Sequence, residues 1–209
     1  VIAGFNNKGG TGKTGVICSL AALLSLVGKT LLIDVDPQGD CSSIIGVKNS
    51  NELVDRKAEA EPSIIELLDW TTAEGESLYR RLPFDKVVKR ISPGLDLIQG
   101  DLDLGEVNYS LNRHQFRDKV GSDGEVRPQV LYMVKEFIDS ISNQYDYILF
   151  DMPPNVETFN VNCLFASNRI ISVLEIESKC LRTIDRVEDF LLRLKGLHPG
   201  FSWEKILVV

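Results

Sequence analysis

The sequence is sparing with the residues that staple small proteins or bind soft metals. Its 209 residues hold four cysteines and two histidines. Cys18, Cys41, Cys163 and Cys180 are 23, 122 and 17 positions apart, so there is no CxxC pair, and only His114 and His198 could join them. That spacing argues against a zinc or iron–sulfur site and leaves free, mostly buried thiols in a reducing compartment as the expectation. No apolar run approaches the roughly 18 residues of a membrane span. The first residues lack the layout of a secretory signal, because a short apolar start leads straight into glycines and lysines. Positive charge is also short: 23 Lys and Arg against 30 Asp and Glu give a net charge of −7. A bulk-basic nucleic-acid coat is thereby excluded, while a local basic face stays open. Repeats, low-complexity tracts and a clear linker are missing as well. With 44% hydrophobic residues and about 150 residues per domain as a guide, the expectation is a cytoplasmic globular protein of one domain over residues 1–209.

Short β-branched runs alternate with longer helical patterns. The runs are Val1–Phe5, Thr30–Val35, Leu95–Ile98, Tyr147–Phe150, Ile170–Leu174 and Ile206–Val209. Most are continuously apolar, as strands covered on both faces are. Val16, Ile17, Leu20, Ala21, Leu23, Leu24 and Leu26 make the first helix apolar nearly all round, which predicts deep burial. Leu181, Ile184, Val187, Leu191 and Leu194 predict an amphipathic helix lying on the sheet. A short helix is expected near Ser63–Trp70, beyond the acidic cluster Glu59–Glu61, and a turn over Gly121–Gly124 before a helix starting near Arg127. The fold class expected is α/β: a mostly parallel twisted sheet with helices on both faces.

The strongest chemical signal is Asn6-Asn7-Lys8-Gly9-Gly10-Thr11-Gly12-Lys13-Thr14, placed between a strand and a helix. Glycines there let successive backbone N–H groups turn inward around phosphate oxygens, and the helix N-terminus adds favourable potential. Residues Lys8 to Gly15 form the candidate nucleotide loop. Lys13 would reach the β- and γ-phosphates, and the Thr14 hydroxyl would ligate Mg²⁺. The plain alternative, a glycine turn with two solvated lysines, fits the clustered spacing poorly. The general P-loop pattern needs a glycine at position 7, where Asn7 stands, and Lys8 adds a lysine at the start of the loop.

This arrangement resembles the deviant Walker A loop of the ParA/MinD family of P-loop ATPases. In that family the additional lysine crosses a dimer interface to the nucleotide of the other subunit, a role that the resemblance places on Lys8. Its physical logic is that of an arginine finger. The segment Leu31-Leu32-Ile33-Asp34-Val35-Asp36-Pro37-Gln38-Gly39 puts carboxylates at the ligand edge of a parallel sheet. It resembles the family's second motif, which implies that Asp36 positions the attacking water and Asp34 supports the Mg²⁺ shell. Tyr145-Asp146-Tyr147-Ile148-Leu149-Phe150-Asp151-Met152-Pro153-Pro154 looks like a Walker B strand, with Asp151 holding Mg²⁺ directly or through water. The middle section, Gly94-Leu95-Asp96-Leu97-Ile98 with Asp103-Leu104, is similar too. Departures are Thr11 for valine, Gly15 for a second hydroxyl, Asp40 for asparagine, and Glu175-Ile176-Glu177-Ser178 without the family's proline turn.

The resemblance is nearer the ParA partition branch than the MinD branch. It implies a homodimer sandwiching ATP and Mg²⁺, in which Lys8, Lys13 and Asp36 carry hydrolysis. It also implies a partition partner of the ParB type, nonspecific DNA, and a cytoplasmic, nucleoid-associated location. Five basic residues (Lys179, Arg182, Arg186, Arg193, Lys195) against three acidic ones (Asp185, Glu188, Asp189) form the local basic stretch. A MinD-like membrane-associated regulator and a non-hydrolysing nucleotide-gated scaffold are the alternatives. Because the family continues beyond the strand that ends this chain, the sequence reads as a domain lacking its C-terminal portion.

Overall fold

The six apolar runs all become strands, and each is placed by what flanks it in the sheet. A computed structural model describes residues 1–6, 8–46, 62–101, 103–114, 116, 119–120, 126–127, 129–174, 180–197 and 202–208. Strands β1 (Ile2–Gly4), β2 (Thr30–Asp34), β3 (Lys89–Ser92), β4 (Leu95–Ile98), β7 (Tyr147–Asp151), β8 (Arg169–Val173) and β9 (Glu204–Val208) form one sheet in the order β3-β4-β2-β7-β1-β8-β9. β5 (Lys119–Val120) and β6 (Val126–Arg127) form a separate two-stranded ribbon. Six strands of the large sheet run parallel, and β3 alone is antiparallel, at the edge beside β4. The expected mostly parallel α/β sheet is the observed one.

Side chains alternate along each strand and sort into two cores. Leu31, Ile33, Ile148 and Phe150 join one core with α3 (Leu104–Arg113), α4 (Gln129–Ile141), α5 (Thr158–Phe165) and α6 (Cys180–Leu197). Leu32, Leu97 and Leu149 join the other, under α1 (Lys13–Leu24) and α2 (Asp40–Ile44). Burial on both faces is why these strands lack polar alternation. α5 is buried almost throughout, and α6 turns Val187, Leu191 and Leu194 to the sheet.

One expectation needs correction. α1 is not deeply buried: only the stripe Lys13, Ile17, Cys18 and Ala21 is enclosed, while Leu23 is 63% exposed. Leu26 and Val27, just past the helix end, are 80% and 76% exposed. One stripe suffices because α1 meets the sheet on a single side. The helix expected near Arg127 is present as α4 and begins at Gln129, with Arg127 itself in β6. The polar strand β3 was missed, because its lysine and arginine mask the pattern of an edge strand that is only half-buried. The expected turn at 121–124, the cluster at Glu59–Glu61 and His198 lie outside the described residues. The expected short helix is a 3-10 turn, Ile64–Leu67, opened by a capping box between Ser63 and Glu66.

β1 meets α1 through Gly4. A Cβ there would lie 2.4 Å from Ile17 Cγ1 and 2.7 Å from its Cδ1. Ile17 is fully buried, so it has little room to give way. Gly4→Ala is expected to cost about 1–3 kcal/mol by overpacking, measured by urea unfolding. The double variant Gly4→Ala/Ile17→Ala should recover part of that loss; an unchanged loss would show that Ile17 is not the obstacle.

Candidate functional site

Strand order assembles the site. β7 lies between β2 and β1, so Gly4, Asp34 and Asp151 stand side by side at the C-terminal ends of three adjacent strands, with Gly4 and Asp34 each in register with Asp151. The candidate loop leaves β1 and folds into α1 directly above them. Gly10 and Gly12 have φ of +78° and +81°, a left-handed conformation that side chains with a Cβ disfavour, and Gly12 caps α1. Gly10, Gly12 and Gly15 have open space where a Cβ would stand, and Gly9 lies against Pro154. Loop residues Lys8, Gly9, Gly10, Gly12 and Gly15 are exposed, and Thr11 and Thr14 are half-buried.

Lys13 points down rather than into solvent. Its Nζ donates to Asp151 Oδ1 at 3.0 Å, with both residues buried. Burial pushes the Asp151 carboxyl above its usual range, and the opposing pull of the Lys13 charge and the Thr14 hydroxyl limits the rise. Among the described residues, Asp151 Oδ2 has no hydrogen-bond partner, nor have the buried Oδ1 of Asn6 and Oγ1 of Thr11. An unpaired carboxylate oxygen next to a threonine hydroxyl is the donor chemistry that suits Mg²⁺.

The Asp34–Asp36 arc is held differently. Asp34 Oδ1 accepts from the Asp36 N–H at 3.1 Å, while Oδ2 accepts from the Ser42 N–H at 2.9 Å and the Ser42 hydroxyl at 2.8 Å. Burial raises its pKa to about 6 against the pull of those bonds. Asp36 is half-buried, and its Oδ1 accepts from the Gln38 N–H at 3.0 Å in an Asx-type turn. Gly100, after β4, packs beneath the arc: a Cβ there would lie 2.9 Å from the Asp36 carbonyl oxygen, and its N–H donates to Ser42 Oγ at 3.2 Å. Ser42, Gly100 and Asn6 went unrecognised in the sequence. Asn6 donates from Nδ2 to the Val173 carbonyl at 2.7 Å, tying the loop's entry to the end of β8.

The loop, the Asp36 arc and Asp151 therefore converge, as the three motifs require. The basic stretch lies elsewhere, on α6. There Arg186, Arg193 and Lys195 are exposed, but so are Asp185, Glu188 and Asp189, and Lys195 Nζ sits 5.9 Å over the Trp203 ring. Asn7, Glu175–Ser178, Lys179 and the side chain of Arg182 lie outside the described residues.

The AAA domain family AAA_31 matches residues 1–198. The chain belongs to this family. Among curated proteins it is 29% identical over 210 residues to the chromosome partitioning protein ParA of Caulobacter vibrioides, covering 94% of this chain and 67% of that protein. It is 26% identical over 214 residues to the sporulation initiation inhibitor protein Soj of Bacillus subtilis, covering 100% of this chain and 71% of that protein. Among solved structures, the Cyanothece McdA–ATP complex matches with a TM-score of 0.75 at 20% identity, covering 100% of this chain and 68% of that one. That likeness shows the fold. The ParA-type assignment expected from Lys8 and Asp36 holds. Among the described residues, no helix is long and apolar enough to cross a membrane.

Proposed function

We propose that the chain is an ATPase of the partition and positioning type, in which ATP gates face-to-face association of two copies. The observation that carries this reading is the Lys13–Asp151 pair, buried under a glycine loop and leaving Asp151 Oδ2 unpartnered. In this reading, the backbone N–H groups of Gly9 to Thr14 and the α1 N-terminus hold the phosphates, and Lys13 exchanges its Asp151 contact for the terminal phosphate. Thr14 and Asp151 Oδ2 would hold Mg²⁺, which supplies charge neutralisation at the phosphates. Asp34, with three internal donors, acts through the arc and through water. Asp36 orients the attacking water, and Lys8 of a second copy completes the charge around the transferred group.

The likeness to ParA and Soj supports a role in partition or positioning. The reading extends to the cytoplasm, to nonspecific DNA met by the exposed arginines of α6, and to a ParB-type partner that stimulates hydrolysis. Light scattering tests the gate. With ATP and Mg²⁺ the wild type is expected to double in mass, and Lys8→Ala to stay monomeric while retaining nucleotide. A Lys8→Ala protein that dimerises and turns over like the wild type would overturn the role of Lys8.

A further inference from the structure

Two of the cysteines that seemed unrelated in sequence meet next to the site. Cys18 lies on α1 one turn beyond Thr14, and Cys41 lies on α2 directly before Ser42. The Cys18 thiol points at the Cys41 sulfur, with the two Sγ atoms 3.3 Å apart. Cys18 is 6% exposed and Cys41 is fully buried. A disulfide needs sulfurs about 2.05 Å apart, so little more than 1 Å of closure separates the pair from a covalent bond. α1, which begins at Lys13, and α2, which holds Ser42, would then be joined. Cys41 precedes the serine that grips Asp34, and the Asp36 arc runs directly into α2.

We propose that Cys18 and Cys41 form an oxidation-sensitive thiol pair that, closed to a disulfide by a hydroperoxide, staples the nucleotide-loop helix to the Asp36 arc and slows turnover. The chemistry balances in two steps. Cys18, the more accessible thiol, takes one oxygen from the hydroperoxide to become a sulfenic acid, and the hydroperoxide leaves as water or an alcohol. The Cys41 sulfur then attacks the Cys18 sulfur, the S–O bond breaks, and the departing hydroxide leaves as water with the Cys41 proton. Cys41 is fully buried, out of reach of a hydroperoxide but 3.3 Å from the Cys18 sulfur, so it fits the second step better than the first. Cys163, also buried, lies in the other core with α5 and serves as an internal control.

The effect on turnover rests on the ATPase reading above, whereas bond formation and local stiffening do not. The test treats the whole chain with hydrogen peroxide, with non-reducing peptide mapping as the first readout. A peptide joining Cys18 to Cys41, and lighter by two hydrogen atoms, is expected, with Cys163 unpaired. Hydrogen exchange over residues 34–46 should slow in the oxidised chain. Phosphate release should fall at least about tenfold, since misplacing a water-orienting carboxylate by about 1 Å is costly, and should return with dithiothreitol. Cys18→Ala should be insensitive to peroxide, and Cys41→Ala should take up oxygen at Cys18 without forming the bond or slowing exchange. Absence of the 18–41 peptide overturns the proposal, as does a bond that leaves exchange unchanged. A bond that forms and leaves phosphate release unchanged in an active chain overturns the control of turnover. A reduced chain without phosphate release would instead sink the ATPase reading, and mapping and exchange would still decide the thiol pair.

Discussion

Lys13→Ala is expected to lower phosphate release at least about a hundredfold, the scale of losing a preorganised charge at a transferring group, and to destabilise the fold as well. The second effect arises because Lys13 is the ion-pair partner of the buried Asp151. Removing one member of a buried pair leaves an uncompensated charge, at a cost of about 3–5 kcal/mol. The sign of the pH dependence follows from the direction of the shift. Burial already raises the Asp151 carboxyl, and Lys13 restrains it, so the variant's carboxyl titrates higher still. A carboxyl raised in the folded state keeps its stability contribution below its ordinary range near pH 4 and loses it as pH climbs through the raised value. The deficit against wild type should therefore be small in mild acid and grow toward pH 8. Urea unfolding at pH 5 and pH 8 measures it. Lys13→Ala/Asp151→Asn should regain much of the stability at pH 8 and none of the turnover, which separates the fold from the chemistry. A Lys13→Ala chain equally stable at both pH values would mean that Asp151 does not depend on this lysine.

The second large effect is expected at Asp36, with the opposite balance. Asp36→Ala should lower phosphate release by about 10²- to 10⁴-fold, the range for a positioned proton-accepting group. Stability should change by less than about 1 kcal/mol, since the half-buried side chain makes a local turn bond rather than filling a core. Nucleotide binding and ATP-gated dimerisation should persist, because Lys13 and Asp151 are untouched. Single-turnover phosphate release and light scattering on the same sample check both halves. Full turnover in Asp36→Ala would remove this residue from the mechanism.

Much of this site was legible because its motifs are local. Asn6 to Thr14 is one turn of chain, so spacing alone specifies a loop that can cradle phosphates, and the strand-ending aspartates Asp34 and Asp151 announce a ligand edge. What spacing could not show is who holds whom. The Lys13–Asp151 bond joins residues far apart in sequence and exists only because β7 inserts between β1 and β2. The grip of Ser42 on Asp34 depends on the bend at Gly39, where φ is +65°, and a serine in a short helix carries no visible signal of that task. Cys18 and Cys41 gave no pattern either, since thiol pairing follows helix packing rather than spacing. The exposure of Leu23 illustrates the reverse failure: an apolar sequence says which residues could be buried, and only the neighbouring elements decide which of them are.

The place of β1 in the sheet also fixes an order of events during synthesis. β1 hydrogen-bonds to β7 on one side and β8 on the other, so β1 does not have both neighbours until residues 147–173 have left the ribosome. Until then the glycine loop has no floor, and the aliphatic stripe of α1 has no sheet to cover it. Such long-range closure makes the assembly of the nucleotide site slow relative to the local helices. A nascent chain released before residue 147 would carry the lysines of the loop and none of their geometry.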